Sequence, residues 1–337
     1  MVTFIIRRLL WAIPVLFFVA LVSFFLMHLA PGGPFDKDND KRQLDPATLK
    51  ALNARFGLDK PPYFNPGAFQ KALADGERNP ITLGRSYLDS QFFNYLSGAL
   101  RGDLGPSYKQ RGRNVQDILI ERWPFSARLG ILALAFALVV GIPLGILAAL
   151  RQNTWADYIS LFFATVGVSV PSFVIGLLVI IVFGTKLQWI SISTNDWNTW
   201  RPYIAPGLVL GLATMSFIMR ITRATMLDVK RQDYIRTARA KGLSEQRVIS
   251  RHMLRNGMIP VITVIGPALV DLITGAVITE SIFSIPGTGR FFVESIFNRD
   301  YSMIMGTTLV YAALIVLANM VVDLSYGVLD PRIRSQG

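Results

Sequence analysis

Asp233-Tyr-Ile-Arg-Thr-Ala-Arg-Ala-Lys-Gly-Leu-Ser-Glu-Gln-Arg247, running on to Pro260, is a short polar stretch set between two long apolar runs. Asp233 is placed to cap a helix, and the residues from Tyr234 to Lys241 are mostly good helix formers. Gly242 is the residue type that ends a helix in the left-handed conformation. Ser244 is placed to cap a second helix that carries Arg247, Arg251 and Arg255 into Pro260, a proline tolerated where a new helix begins. The pattern predicts a helix-turn-helix platform on one side of a membrane, basic and built to be bound.

The surrounding composition sets the medium. A chain of 337 residues at 52% hydrophobic, with a mean hydropathy of +0.42, is too apolar for an ordinary soluble domain. The formal net charge of +12 fits basic loops that hold the orientation of a membrane protein, not nucleic-acid binding, because no basic stripe lies in a soluble fold. Cysteine is absent, so disulfides, thiolate metal sites and cysteine nucleophiles are excluded.

Six apolar runs follow from the hydropathy pattern: Leu9 to Ala30, Ala127 to Leu150, Ile159 to Phe183, Ile204 to Met219, Ile259 to Ile278 and Met303 to Leu324. Each approaches or exceeds the ~17 to 25 residues that span a bilayer. The first follows Arg7-Arg8, exceeds the ~7 to 15 residues of a signal-peptide core and meets Pro31 where cleavage would fall, so it reads as a retained helix. Six crossings place both termini on one side. The connection from Arg220 to Arg255 holds ten Lys or Arg residues, Arg332 and Arg334 follow the last run, and the opposite short connections carry only Lys186, Arg201, Arg290 and Arg299. The positive side, that of the platform, is predicted to be cytoplasmic. Residues 35–126 are polar and rich in Pro and Gly, with amphipathic patches at Pro46 to Arg55 and Phe92 to Leu100, and read as a large extracytoplasmic insertion. The expected organisation is a first transmembrane helix in 1–34, this region in 35–126, and a core of five spans in 127–337 that contains the cytoplasmic loop 220–258.

Some features inside the runs have two readings. Gly141-x-x-x-Gly145 with Pro143, and Gly167 followed by Pro171, are either hinges or close helix contacts, and close contact is the ordinary use of small residues in membranes. Asp271 lies midway along the fifth run, where an ionisable group costs at least ~2.5 to 3.5 kcal/mol unless paired or hydrated; it faces either a translocation path or a partner helix. The Gly-Thr-Gly289 run lacks the preceding strand and following Lys-Ser/Thr of a phosphate loop, and a structured turn is expected there. Catalytic motifs are lacking throughout, and His28 and His252 form no evident pair.

The run Ala238-Arg-Ala-Lys-Gly242, with Pro260 eighteen positions after the glycine, resembles the cytoplasmic coupling loop of the permease subunits of bacterial and archaeal ABC importers. The form Tyr234 to Leu243 is similar to that of the oligopeptide, dipeptide and nickel branch. Arg7-Arg8 with Ile13-Pro14, the stop Leu29-Ala-Pro-Gly-Gly-Pro34, Arg101-Gly-Asp-Leu-Gly-Pro-Ser107 and the outer run Glu280 to Gly289 carry the same resemblance. His252 and Arg255 depart from the general loop pattern, and the portion between Pro61 and Gln91 is longer than the family usually has.

The resemblance implies an all-α, six-span permease of the type I importer kind, closest to the B-type subunit of the oligopeptide branch. The partners it implies are a second homologous permease, two ATP-binding subunits and an extracytoplasmic substrate-binding protein, all in a lipid membrane. ATP hydrolysis, cofactors and metals are then outside this chain. Tyr234, Arg236, Thr237, Ala238, Arg239, Ala240, Lys241 and Gly242 are the residues expected to couple to the ATPase, with small Ala238 and Gly242 allowing close approach. Asp271, with its two readings, is the candidate residue for the path. Peptides are the expected substrate; dipeptides, nickel or another small solute are the alternative, and a secondary transporter is the distant one.

Overall fold

The computed structural model describes residues 2–30, 32–35, 45–190, 196–274 and 276–329, so Arg332 and Arg334 lie outside it. Among these residues every regular element is helical. In chain order, α1 is Val2–Leu29, followed by α2 (Pro46–Arg55), α3 (Pro66–Ala74), α4 (Pro80–Tyr87) and α5 (Gln91–Ala99). Next come α6 (Val115–Leu150), α7 (Trp155–Ser169), α8 (Ser172–Val179), α9 (Ile204–Lys230) and the platform helices α10 (Asp233–Ala240), α11 (Glu245–Arg247) and α12 (Leu254–Gly257). The chain continues through α13 (Ile259–Thr274), α14 (Val277–Ile282), α15 (Thr288–Asn298) and α16 (Tyr301–Leu329).

Five segments are long and apolar enough to cross a membrane, in α1, α6, the region of α9, α13 with α14, and α16. The third expected run departs from a straight crossing. It divides into α7 and the α8 segment, which continues as a π-helical turn over Ile180–Lys186, and the two halves meet at 99°. Pro171 is the cause: it has no N–H to donate and disfavours helical backbone at the residue before it, and Val170 is extended at φ −89°, ψ 122°. At 15 residues α7 is about 22 Å long, short of the ~30 Å hydrocarbon core. Among the described residues the count is therefore five candidate spans, or up to six if the bent pair is one.

The chain packs as two compact units. In the larger, built mainly of Arg122–Arg290, α9 packs against α7, α8, α12, α13 and α14. Close approach of α6 and α9 depends on glycine from both sides. A β-carbon on Gly141 would lie 2.8 Å from the carbonyl oxygen of Met215, and one on Gly145 2.6 Å from that of Met219. On α9, Gly211 meets the carbonyl oxygen of Ala133 at 2.5 Å in the same sense. Gly141-x-x-x-Gly145 is thus a packing surface, answered by a second pair, Gly207-x-x-x-Gly211, on the facing helix.

In the other unit, Leu10–Glu121 with Phe291–Ala313, the region read as a polar insertion carries the four short helices α2 to α5. Three of its helices begin with an acceptor side chain followed by proline, the pairing that satisfies an orphan N–H and pre-sets φ. Asp45 accepts from the N–H of Ala47 at 2.9 Å, Asn65 from Ala68 at 2.9 Å and Asn79 from Ile81 at 3.0 Å. The α3–α4 hairpin is closed at its base, where the Asn65 N–H meets the Tyr87 carbonyl at 2.8 Å. Behind it, Phe92 packs with Ala20, Phe24, Tyr301 and Met305. Asp300, which is buried, accepts from Ser107 Oγ, from the Tyr108 N–H at 3.1 Å and from the Met303 N–H at 3.2 Å. One carboxylate thereby caps α16 and fastens the Gly105–Ser107 turn to it.

Candidate functional site

The platform is seated by its apolar side. Ile235 and Ala238 of α10 are buried in one cluster with Ala149 at the end of α6, Met226 and Leu227 at the end of α9, and Val248 and Met253. Ile146, Leu150, Leu243, Ile249 and Leu254 pack around it. The segment between α11 and α12 is π-helical over Val248–Met253. Its i→i+5 register explains how the five-residue spacings Val248/Met253 and Ile249/Leu254 share one face, which an α-helix would splay apart. Below the platform, Asp157 of α7 accepts from Arg223 of α9 through Nε at 2.6 Å and Nη2 at 2.8 Å, and from the Asn153 N–H at 3.0 Å. Asp157 is 1% exposed. This two-pronged pair ties α7 to the helix from which the platform hangs.

The end of α10 has the geometry expected of Gly242. Its φ is +76°, the Leu243 N–H reaches the Ala238 carbonyl at 3.4 Å, and the Gly242 N–H reaches that of Arg239 at 2.9 Å. The two bonds make a Schellman cap. A β-carbon on Gly242 would meet nothing within 4 Å, so its surroundings in this chain are open. The two N-terminal expectations are corrected. Asp233 is the first helical residue and Gln232 occupies the cap position, without a side-chain bond. Ser244 does occupy the cap position, but its side chain likewise accepts no cap bond, and its carbonyl accepts from the Arg247 and Val248 N–H groups instead.

The eight expected coupling residues divide by the period of the helix. Tyr234, Arg236, Thr237, Ala240, Lys241 and Gly242 are exposed. Ala238 is 6% exposed, so its small side chain serves close approach to the chain's own core and not to a partner. Arg239 is turned onto Glu245, bonding it at 2.7 and 3.1 Å. The hydrogen bond from Arg239 holds the Glu245 carboxyl below its usual range. Arg236 lies 3.6 Å from Asp233, both widely exposed, a contact worth little in water. The outward charge of α10 is therefore carried by Arg236 and Lys241, and the tyrosine hydroxyl of Tyr234 accepts from Asn256 at 2.8 Å.

Asp271 is exposed on α13 and, among the described residues, has no ion-pair partner. The Gly-Thr-Gly289 turn is explained by a residue that sequence reading passed over. Glu280 is fully buried and accepts from Ser126 Oγ at 2.6 Å and the Arg290 N–H at 2.9 Å, while Ser126 Oγ takes the Thr288 N–H at 2.9 Å. Any β-carbon on Gly287 would overlap the Glu280 carboxylate. The turn's N–H groups are committed to Glu280 and Ser126, which leaves no phosphate cradle. In the sequence Asp157, Arg223 and Glu280 are each one charge beside apolar residues, which singles none of them out.

Comparison with known proteins places this arrangement. Residues 141–335 match the family model described as the binding-protein-dependent transport system inner membrane component, and residues 1–130 match the N-terminal model of such membrane components. The chain is 39% identical over 334 residues to the oligopeptide transport system permease protein OppB of Haemophilus influenzae, covering 99% of this chain and 100% of that one. It is 38% identical over 316 residues to the dipeptide transport system permease protein DppB of Bacillus subtilis, covering 94% and 92%. Among solved structures, the MetNI methionine ABC transporter in inward-facing conformations matches with a TM-score of 0.51 at 16% identity, over 63% of this chain and 96% of that one. An amino acid ABC transporter matches with a TM-score of 0.50 at 14% identity, over 62% and 92%. These structural likenesses carry the fold alone. The chain belongs to the family of inner-membrane components of binding-protein-dependent transport systems, and it is a multi-pass membrane permease.

Proposed function

We propose that this permease is one half of the membrane pathway of an ATP-driven importer that takes up oligopeptides. It works with a second homologous permease, two ATP-binding subunits and an extracytoplasmic binding protein that delivers the substrate. The observation that carries the reading is the seating of α10: an exposed basic face on a helix locked by Ile235 and Ala238 to the ends of α6 and α9. A helix so held cannot slip when pushed. Closure of ATP-loaded partners against Tyr234, Arg236, Thr237, Ala240, Lys241 and Gly242 then displaces the spans themselves. Asp271 is the proposed polar point on the path, since an exposed mid-span carboxylate requires water or a cation opposite it.

The substrate class rests on the name of the OppB relative and on the Ala30 to Pro34 and Gly105 to Tyr108 sequences. Dipeptides are the second reading, supported by the DppB relative. Uptake of labelled peptides of graded length by the complex, reconstituted with its own binding protein, tests this. Accumulation of tri- to pentapeptides is expected, and uptake confined to dipeptides or to a metal ion would replace the substrate.

The proposed topology has both termini and the loop 220–258 in the cytoplasm, residues 35–126 outside, and 127–337 as the five-span core. Reporters fused near Leu58 should read as extracytoplasmic and those near Ser244 as cytoplasmic. Identical sidedness at the two positions would exclude it.

A further inference from the structure

Beside the coupling face lies a recess lined by Tyr234, Ser250, Arg251, His252, Arg255 and Asn256. We propose that it binds the phosphate headgroup of an anionic phospholipid of the inner leaflet. Arg251 and Arg255 are exposed, and neither has a carboxylate partner among the described residues. The chain offers no local acid to satisfy them: from Gln246 to Val270 there is neither Asp nor Glu, and Glu245 is held by Arg239. Two guanidinium groups four residues apart with no carboxylate partner among the described residues, and the Ser250 hydroxyl beside them, are donors suited to phosphate oxygens.

The depth of the recess selects a lipid over a soluble anion or an acidic protein. Arg255 stands one turn before Ile259, where the candidate span that includes α13 begins, and Ile259 and Ile262 are 39% and 44% exposed. Charge is thus followed directly by uncovered apolar surface, matching a headgroup with its acyl chain. Aromatic anchors mark the same boundary. Trp155 and Tyr158, at the start of α7 just after the α6 residues that seat the platform, are 81% and 58% exposed, as interfacial belts are. An ATPase surface could match the guanidinium groups but would leave the isoleucines bare.

This inference rests on the cytoplasmic placement proposed above, which reporter fusions decide independently of any headgroup preference. The test is a titration of the assembled complex with phosphatidylglycerol and with phosphatidylcholine, read by native mass spectrometry. Phosphatidylglycerol is expected to bind about twenty-five-fold more tightly, from roughly five-fold per arginine at an anionic surface. The Arg251→Gln/Arg255→Gln variant should lose that preference and Arg251→Lys/Arg255→Lys should keep most of it. Lys71→Gln/Arg78→Gln, with the same change in net charge elsewhere, should not alter it. An undiminished preference in the glutamine variant would overturn the proposal. Loss of the ATPase subunits from that variant would assign the recess to a protein interface instead, and displacement of phosphatidylglycerol by inorganic phosphate at similar concentration would make it a free-anion site.

Discussion

Gly242→Val is expected to leave membrane insertion and abundance nearly intact while abolishing transport. The residue has φ +76°, a conformation that costs an ordinary L-residue roughly 1 to 2 kcal/mol and a β-branched one more. That cost falls on a short surface cap, and nothing in the chain lies within 4 Å of the new β-carbon, so the fold has no clash to relieve. The damage falls on the partner. If an ATPase surface docks closely over the end of α10, added methyl groups overpack it at ~1 to 3 kcal/mol and shift the adjoining Lys241 and Arg239–Glu245 groups. Co-purification of the ATP-binding subunits and the rate of substrate uptake are the measurements. Normal uptake by a fully assembled mutant complex would show that this turn is not the coupling element.

The second large effect belongs to a pair with no predicted role. Asp157→Ala or Arg223→Ala alone should destabilise the protein by ~3 kcal/mol, because each leaves its partner's charge uncompensated where water is scarce. The low end of the range for a broken buried pair applies, since Arg223 retains 22% exposure. Replacing both at once, as Asp157→Leu/Arg223→Met, should return stability close to that of the native chain, since a well-packed apolar pair avoids the desolvation cost of the ions. Thermal midpoints of the detergent-solubilised complex give the four corners of the cycle. Single variants within about 0.5 kcal/mol of the native protein, the range of ordinary surface changes, would mean that α7 is held to α9 by its apolar contacts alone.

The spans, the platform and its glycine cap were legible because each is written in neighbouring residues. Apolar run length, helix formers between polar ends, and a glycine nine positions after a charged start all act within a few turns. Even so, local reading missed what it could have seen. Asn65-Pro66 and Asn79-Pro80 repeat the cap-then-proline signal of Asp45-Pro46, and they begin α3 and α4, the two helices of the longer portion between Pro61 and Gln91. The five-residue spacing of Val248 and Met253 likewise carried the π-helical register.

Which charges are buried and what they hold could not be read this way. Asp157 and Arg223 are 66 positions apart, Ser126 and Glu280 are 154 apart, and Ser107 and Asp300 are 193 apart. In each case the residue types are common, and only packing brings donor to acceptor at bonding distance. The same holds for Ala238, which the sequence alone placed on the helix but whose side chain the tertiary structure turned inward. The sequence by itself determined the medium, the number of apolar runs and the position of the basic helix, because hydropathy and helix propensity are additive over short windows. The tertiary structure alone decided the glycine-lined contact of α6 with α9 and which face of α10 is free to be pushed, because these depend on the surface that another part of the chain presents.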